Sequence, residues 1–202
     1  MDINAYIASG ILEAYVLGIA GEQERAEVEK LSAVHAEIRI EIAAISAAME
    51  KYAMENAVLP HAAIKPLLMA TIDYTERLQN GESPSFPPVL NENSKPEDYY
   101  EWVSRPDMHA PGSFEEIFAK IIGYTPQVTS AIVWIKHMAP QEVHDDEHEK
   151  FLILEGSCDI IVGDKVHQLV PGDYFAIPLH ASHEVRVTSS VPCKVILQRV
   201  AA

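Results

Sequence analysis

The chain has 202 residues, is 48% hydrophobic and carries 30 acidic against 15 basic side chains, for a formal net charge of −15. A core of ordinary size is within reach of such a chain, as one large domain or two small ones. The acidic excess holds in both parts, twelve against six up to Asn80 and eighteen against nine beyond it, which argues against a direct grip on DNA or on an anionic membrane.

The N-terminus has no basic segment ahead of an apolar run, and no stretch approaches eighteen uninterrupted apolar residues. The expectation is a cytoplasmic protein without membrane or nucleic-acid contact. Two cysteines, Cys158 and Cys193, lie in strand-like surroundings and form no CxxC pair, so the reading is two buried core thiols.

Residues 1–80 read as helix. Ile3, Tyr6, Ile7, Ile11, Ala14 and Tyr15 recur at three-and-four spacing behind Asp2 or Asn4 as N-cap, with Gly21 ending the helix. From Glu22 to Asn56 charged residues interleave with Val28, Leu31, Val34, Ile38, Ile42 and Ile45, and a break is expected near His35. Pro60 opens a last helix with the stripe Ile64, Leu67, Leu68, Ile72 and Leu78, closed by the Asn80-Gly81 turn. Together these make a small helical bundle.

Residues 81–98 contain Ser83-Pro84-Ser85-Phe86-Pro87-Pro88 and a polar run through Asn91, Asn93 and Ser94, and read as an interdomain linker. Residues 99–202 form the second domain. Its opening is rich in aromatics, with Tyr99, Tyr100, Trp102, Phe114 and Phe118 expected to lead into the domain and cover part of it. After Pro126 the pattern turns to short apolar runs with period-two alternation, separated by turns such as Gly163-Asp164 and Val170-Pro171-Gly172-Asp173, which implies a sandwich or barrel.

The densest chemistry lies between Glu142 and Gly156. Glu142 and His144 are two apart and share a face on a strand. In the next strand Phe151 and Ile153 alternate with Glu149, so Glu149 faces inward and His148 away. A second segment, Gly172 to His183, supplies His180 and His183 just after a strand. His35, His61, His109, His137 and His167 each stand alone and read as surface or core residues.

These two segments resemble the two cupin motifs. His144, Glu149 and Gly156 match the first in spacing, and Gly172, Pro178 and His183 match the second. Two departures stand out: Glu142 replaces the first His of the usual HxH pair, and His180 replaces the glycine after the motif proline. The resemblance implies a double-stranded β-helix (jelly-roll) barrel, hence an α+β two-domain protein with an N-terminal helical bundle. It also implies one divalent metal, with Glu142, His144, Glu149 and His183 as candidate ligands. The fourth position is open between Glu142, His148 and a water. Imidazole and carboxylate donors suit zinc, placed first, and also iron, manganese or nickel.

The helical part, with Ile7 to Gly18, the Glu-rich run Glu22 to Glu29 and Ala36 to Glu41, looks like an anti-sigma domain. Joined to a C-terminal cupin, it is similar to the ChrR family of anti-sigma factors. That resemblance implies a sigma factor as partner and a cupin that senses an oxidative or small-molecule signal. The family's HxxxCxxC zinc pattern would fall on Leu31, His35 and Ile38, so the helical domain is expected to be zinc-free. A metal-dependent cupin enzyme, a dioxygenase or isomerase, is the alternative, and a homodimer through the cupin domain is a further expectation.

Overall fold

A computed structural model of the chain describes residues 2–202. It divides into two compact units, Met1–Leu59 and Pro60–Ala202.

The first unit holds four helices, α1 (Ile3–Ile7), α2 (Ile11–Val16), α3 (Glu22–Val34) and α4 (Ala36–Glu55). Asp2 caps α1, its Oδ1 accepting the Asn4 and Ala5 amides. The single helix expected up to Gly21 is two. Gly10 takes a left-handed φ of 82° and breaks the run, and Gly21 serves instead as N-cap of α3. The break expected near His35 is there, with His35 extended between α3 and α4. Leu12, Val28 and Ile38 are the fully buried centre, with Tyr6, Leu31 and Ile42 among the side chains packed around them.

The second unit is a sandwich of two antiparallel sheets. Its strands are β1 (Ile117–Thr125), β2 (Val128–Ile135), β3 (Met138–Glu142), β4 (Glu147–Glu155), β5 (Cys158–Val162), β6 (Lys165–Leu169), β7 (Tyr174–Ala176), β8 (His183–Val187) and β9 (Cys193–Ala201). One sheet runs β1-β2-β9-β4-β7 and the other β3-β8-β5-β6. Period-two alternation sorts each strand's side chains. On β4 Phe151 and Ile153, and on β9 Cys193, Val195 and Leu197, face the space between the sheets, while Leu152 and Ile196 face outward. Cys158 and Cys193 are both buried and free.

Two boundaries differ from the sequence reading. Helix α5 (Ile64–Gln79), expected in the helical domain, belongs to the second unit: it lies against β1, with Ala70 and Tyr74 buried in the sandwich core and Leu78 packed on it. Asp73 of α5 fixes the contact, accepting from Lys120 Nζ at 2.9 Å and from Arg77 Nε at 2.9 Å. Of the expected apolar stripe, Leu67 and Leu78 are on the packed side, while Ile64, Leu68 and Ile72 are exposed.

The residues read as a linker, 81–98, are a strap over the outer face of the five-stranded sheet. Leu90, Tyr99 and Trp102, the last from helix α6 (Tyr100–Val103), form a second core with Ile122, Ile132, Trp134, Leu152 and Ile196. Gln198 is buried at the centre of the strap's polar contacts: its Oε1 accepts the Leu90 amide at 2.7 Å, and its Nε2 donates to Pro88 O and Ser130 Oγ, each at 2.9 Å. Gly123 permits the approach, since a Cβ there would stand 2.4 Å from Pro87 Cδ. The strand pattern also begins earlier than Pro126, because β1 is part of the sandwich.

Candidate metal centre

Three strands bring the candidate ligands together. β3 ends at Glu142 and the chain turns through His144; Glu149 sits on the inner face of β4; His183 opens β8 and pairs in register with Glu142. Glu149 Oε2 lies 3.0 Å from His183 Nε2 and 3.4 Å from His144 Nε2. Glu149 is 2% exposed and His183 is equally enclosed. His148, on the opposite face of β4, is outside the group, as the alternation predicts.

The donor atoms of His144, Glu149 and His183 all lie within 4.8 Å of one another. A metal bound at about 2.0–2.2 Å requires donors roughly 3 to 3.6 Å apart, the range of the two distances to Glu149. His144 Nε2 is buried and has no hydrogen-bond partner. A nitrogen lone pair shut away from water and aimed at a carboxylate suits a cation, so the residues fit a divalent metal. His183 Nδ1 contacts Ala181 O at 3.3 Å, a backbone contact that orients the ring with Nε2 towards the centre.

Burial alone would raise the Glu149 carboxyl, but the close approach of the His144 imidazole, the contact with His183 and the charge of Arg199 outweigh it and hold the group down at about 2. Its carboxylate in turn raises His144 above the ordinary imidazole value, against the effect of burial. The trio therefore attracts positive charge, which a proton or a metal ion supplies.

Glu142, the candidate fourth ligand, faces the centre with Oε2 3.7 Å from His144 Nε2, but its closer partner is Arg199, whose Nη2 donates to the same oxygen at 3.1 Å. Arg199 Nε also donates to Glu149 Oε1 at 3.2 Å. The sequence reading missed Arg199. Its signal was the alternation of β9: after Cys193, Val195 and Leu197, position 199 is the next inward side chain.

A cavity of about 40 Å3 adjoins the centre, with Glu142, Glu149, His183 and Arg199 on one side and apolar side chains including Leu67, Ile117 and Phe151 on the other. Leu67 belongs to α5, whose leading turn is held over β3 by His61 Nε2 against Gln141 O at 3.2 Å. Phe151 lines this cavity, whereas Tyr174 packs on the strap side and the Phe175 ring lies 4.3 Å from the His167 ring.

At the second motif His180 has a left-handed φ of 59°, the conformation that explains a glycine at this place elsewhere. Its amide donates to His144 O at 2.9 Å and its ring meets Asp145 at 3.0 Å, which joins the segments that lead to His144 and His183.

Residues 132–198 match the Cupin_2 family, described as "Cupin domain", and this segment is a cupin domain. No curated protein matches the chain. Among solved structures, KdgF from Halomonas sp. is 20% identical over 48% of this chain and 92% of its own, with a TM-score of 0.42. A cupin superfamily protein from Desulfitobacterium hafniense DCB-2 is 16% identical over 57% and 100%, also at 0.42. A cupin-2 domain containing protein from Shewanella frigidimarina is 19% identical over 44% and 84%, at 0.39. No helix among the described residues is long and apolar enough to cross a membrane.

Proposed function

We propose that the chain is an anti-sigma-type regulator: the helical unit binds a sigma factor, and a divalent metal held by His144, Glu149 and His183 in the cupin unit sets how tightly it does so. The observation that supports partner binding is the incomplete core of the first unit. α4 is twenty residues long, yet only Ile38 is fully buried, and Ile40, Tyr52 and Met54 are each about 70% exposed. Residues 1–59 carry ten acidic and four basic side chains, which favours a basic partner. The sigma factor itself comes from the resemblance of the helical region to anti-sigma domains.

The metal would be held by two imidazoles and one carboxylate, and it would supply a Lewis-acidic position beside the apolar cavity. For such a centre to regulate, its two states must differ in affinity for the partner. Tagged full-length protein, pulled down from its source cells with metal quantified in the same sample, tests this. A stoichiometric sigma factor is the expected result. Metal-loaded protein without any sigma factor would end the regulatory reading.

The alternative, a mononuclear cupin enzyme, is favoured by one feature: a three-donor group adjoins an apolar cavity, where a bound metal would have room for a small ligand. Recovery of iron together with turnover of a small diketone or thiol would decide for it.

A further inference from the structure

We infer that Arg199 is a positioning residue that withholds Glu142 from the metal, so that the centre works with three protein donors and keeps a position open. This rests on the reading of His144, Glu149 and His183 as metal ligands.

One guanidinium engages both carboxylates of the site. Its Nε donates to Glu149 Oε1 at 3.2 Å, which leaves Glu149 Oε2 to face the two imidazoles. Its Nη2 donates to Glu142 Oε2 at 3.1 Å, and that is the Glu142 oxygen 3.7 Å from His144 Nε2. The atom best placed to become a fourth donor is therefore the one the guanidinium takes. The side chains of Arg199, Glu142 and Glu149 are 21%, 19% and 2% exposed, so water does little to screen these pairs.

The planar fork of arginine serves two acceptors at fixed angles, which a lysine ammonium does not reproduce. Charge points the same way. Without the guanidinium, Glu142 would be a carboxylate with no counter-charge of its own, beside a divalent ion; with it, Glu142 is already neutralised. With Glu142 withheld, a bound metal would have a position for a small exogenous ligand from the adjoining cavity, and the guanidinium on the cavity wall would favour an anionic one.

The full-length protein loaded with cobalt(II) reports this through its visible spectrum, its cobalt affinity against a competing chelator, and its titration with azide. Glu142→Gln should leave the spectrum unchanged and the affinity within about threefold. Arg199→Gln should change the spectrum, tighten cobalt and weaken azide by about tenfold or more, the scale on which groups outside the donor set tune a centre. Adding Glu142→Gln to Arg199→Gln should restore the spectrum and recover part of the azide binding, the rest being the direct attraction of the lost guanidinium.

A drop of about tenfold in cobalt affinity with a changed spectrum in Glu142→Gln alone would show that Glu142 is a ligand beside an intact Arg199, and would overturn the inference. An Arg199→Gln protein that binds cobalt with unaltered spectrum and azide affinity would overturn it as well. Should Arg199→Gln not fold, the Glu142→Gln result decides alone. Wild-type protein that takes up no cobalt would refute the metal reading on which the inference rests, a different outcome from the other two.

Discussion

His183 Nε2 and Glu149 Oε2 stand 3.0 Å apart inside the sandwich, both almost fully enclosed, and they come from strands of different sheets. If His183 Nδ1 donates to Ala181 O, the neutral ring turns a lone pair towards an ionised carboxylate. A cation between them resolves the conflict. In metal-free protein the positive charge is a proton on His144, whose imidazole the Glu149 carboxylate raises above its ordinary value.

Metal-free protein should therefore show a bounded stability range. Glu149 is held at about 2, below its ordinary 4.5, so its contribution is full above 4.5 and is lost as pH falls towards 2. His144 is raised above its ordinary 6.5, so its contribution is present below 6.5 and is lost as pH rises through the raised value. Chelator-treated protein should melt highest between about pH 4.5 and 6.5. Zinc, which competes with the proton, should stabilise most at pH above that range. Thermal melts across pH, with and without zinc, check both statements; a metal-free optimum at pH 8 or above would contradict them.

Gln198→Leu should cost about 2–4 kcal/mol, because it leaves the Leu90 amide and the Ser130 hydroxyl without their buried partner, while the Pro88 carbonyl keeps the Tyr99 hydroxyl. Urea unfolding measures the loss. Metal content should be unaffected, since Gln198 faces the strap and not the centre.

Gly156→Ala should cost about 2–4 kcal/mol, whereas Gly163→Ala should cost about 1–2 kcal/mol. Both glycines have positive φ, 75° and 58°. Only at Gly156 would the new Cβ also meet backbone, with Pro192 O at 2.8 Å and Cys193 Cα at 3.1 Å. Equal losses in paired urea titrations would contradict the steric account.

Residues 60–202 should fold alone and bind metal, while residues 81–202 should not give a stable domain. The shorter piece lacks α5, whose Ala70 and Tyr74 are part of the sandwich core. Circular dichroism melts of the two fragments distinguish this from a boundary at residue 80.

The candidate centre was legible through a resemblance: His144, Glu149 and Gly156, then Gly172, Pro178 and His183, match the spacing of the two cupin motifs, and strand alternation by itself turned only Glu149 inward. Arg199 was harder because it is fifty residues from Glu149 in the chain and meets it only through the register of β4 with β9. The strap was misread because Pro and Asn in number look like a linker, whereas Leu90 and Trp102 bury themselves on a sheet face that composition does not reveal. For α5 the large residues Ile64, Leu68 and Ile72 drew part of the apolar stripe to the wrong side; the small Ala70 lets the helix lie close to β1 beside Tyr74.

The most direct test is native mass spectrometry of the full-length protein, stripped and then offered zinc, iron(II) or manganese(II), beside a His144→Ala/His183→Ala variant. One ion per wild-type chain and none in the variant is the predicted result. Wild-type protein that retains no ion, or a variant that retains one, would contradict a metal centre at His144, Glu149 and His183.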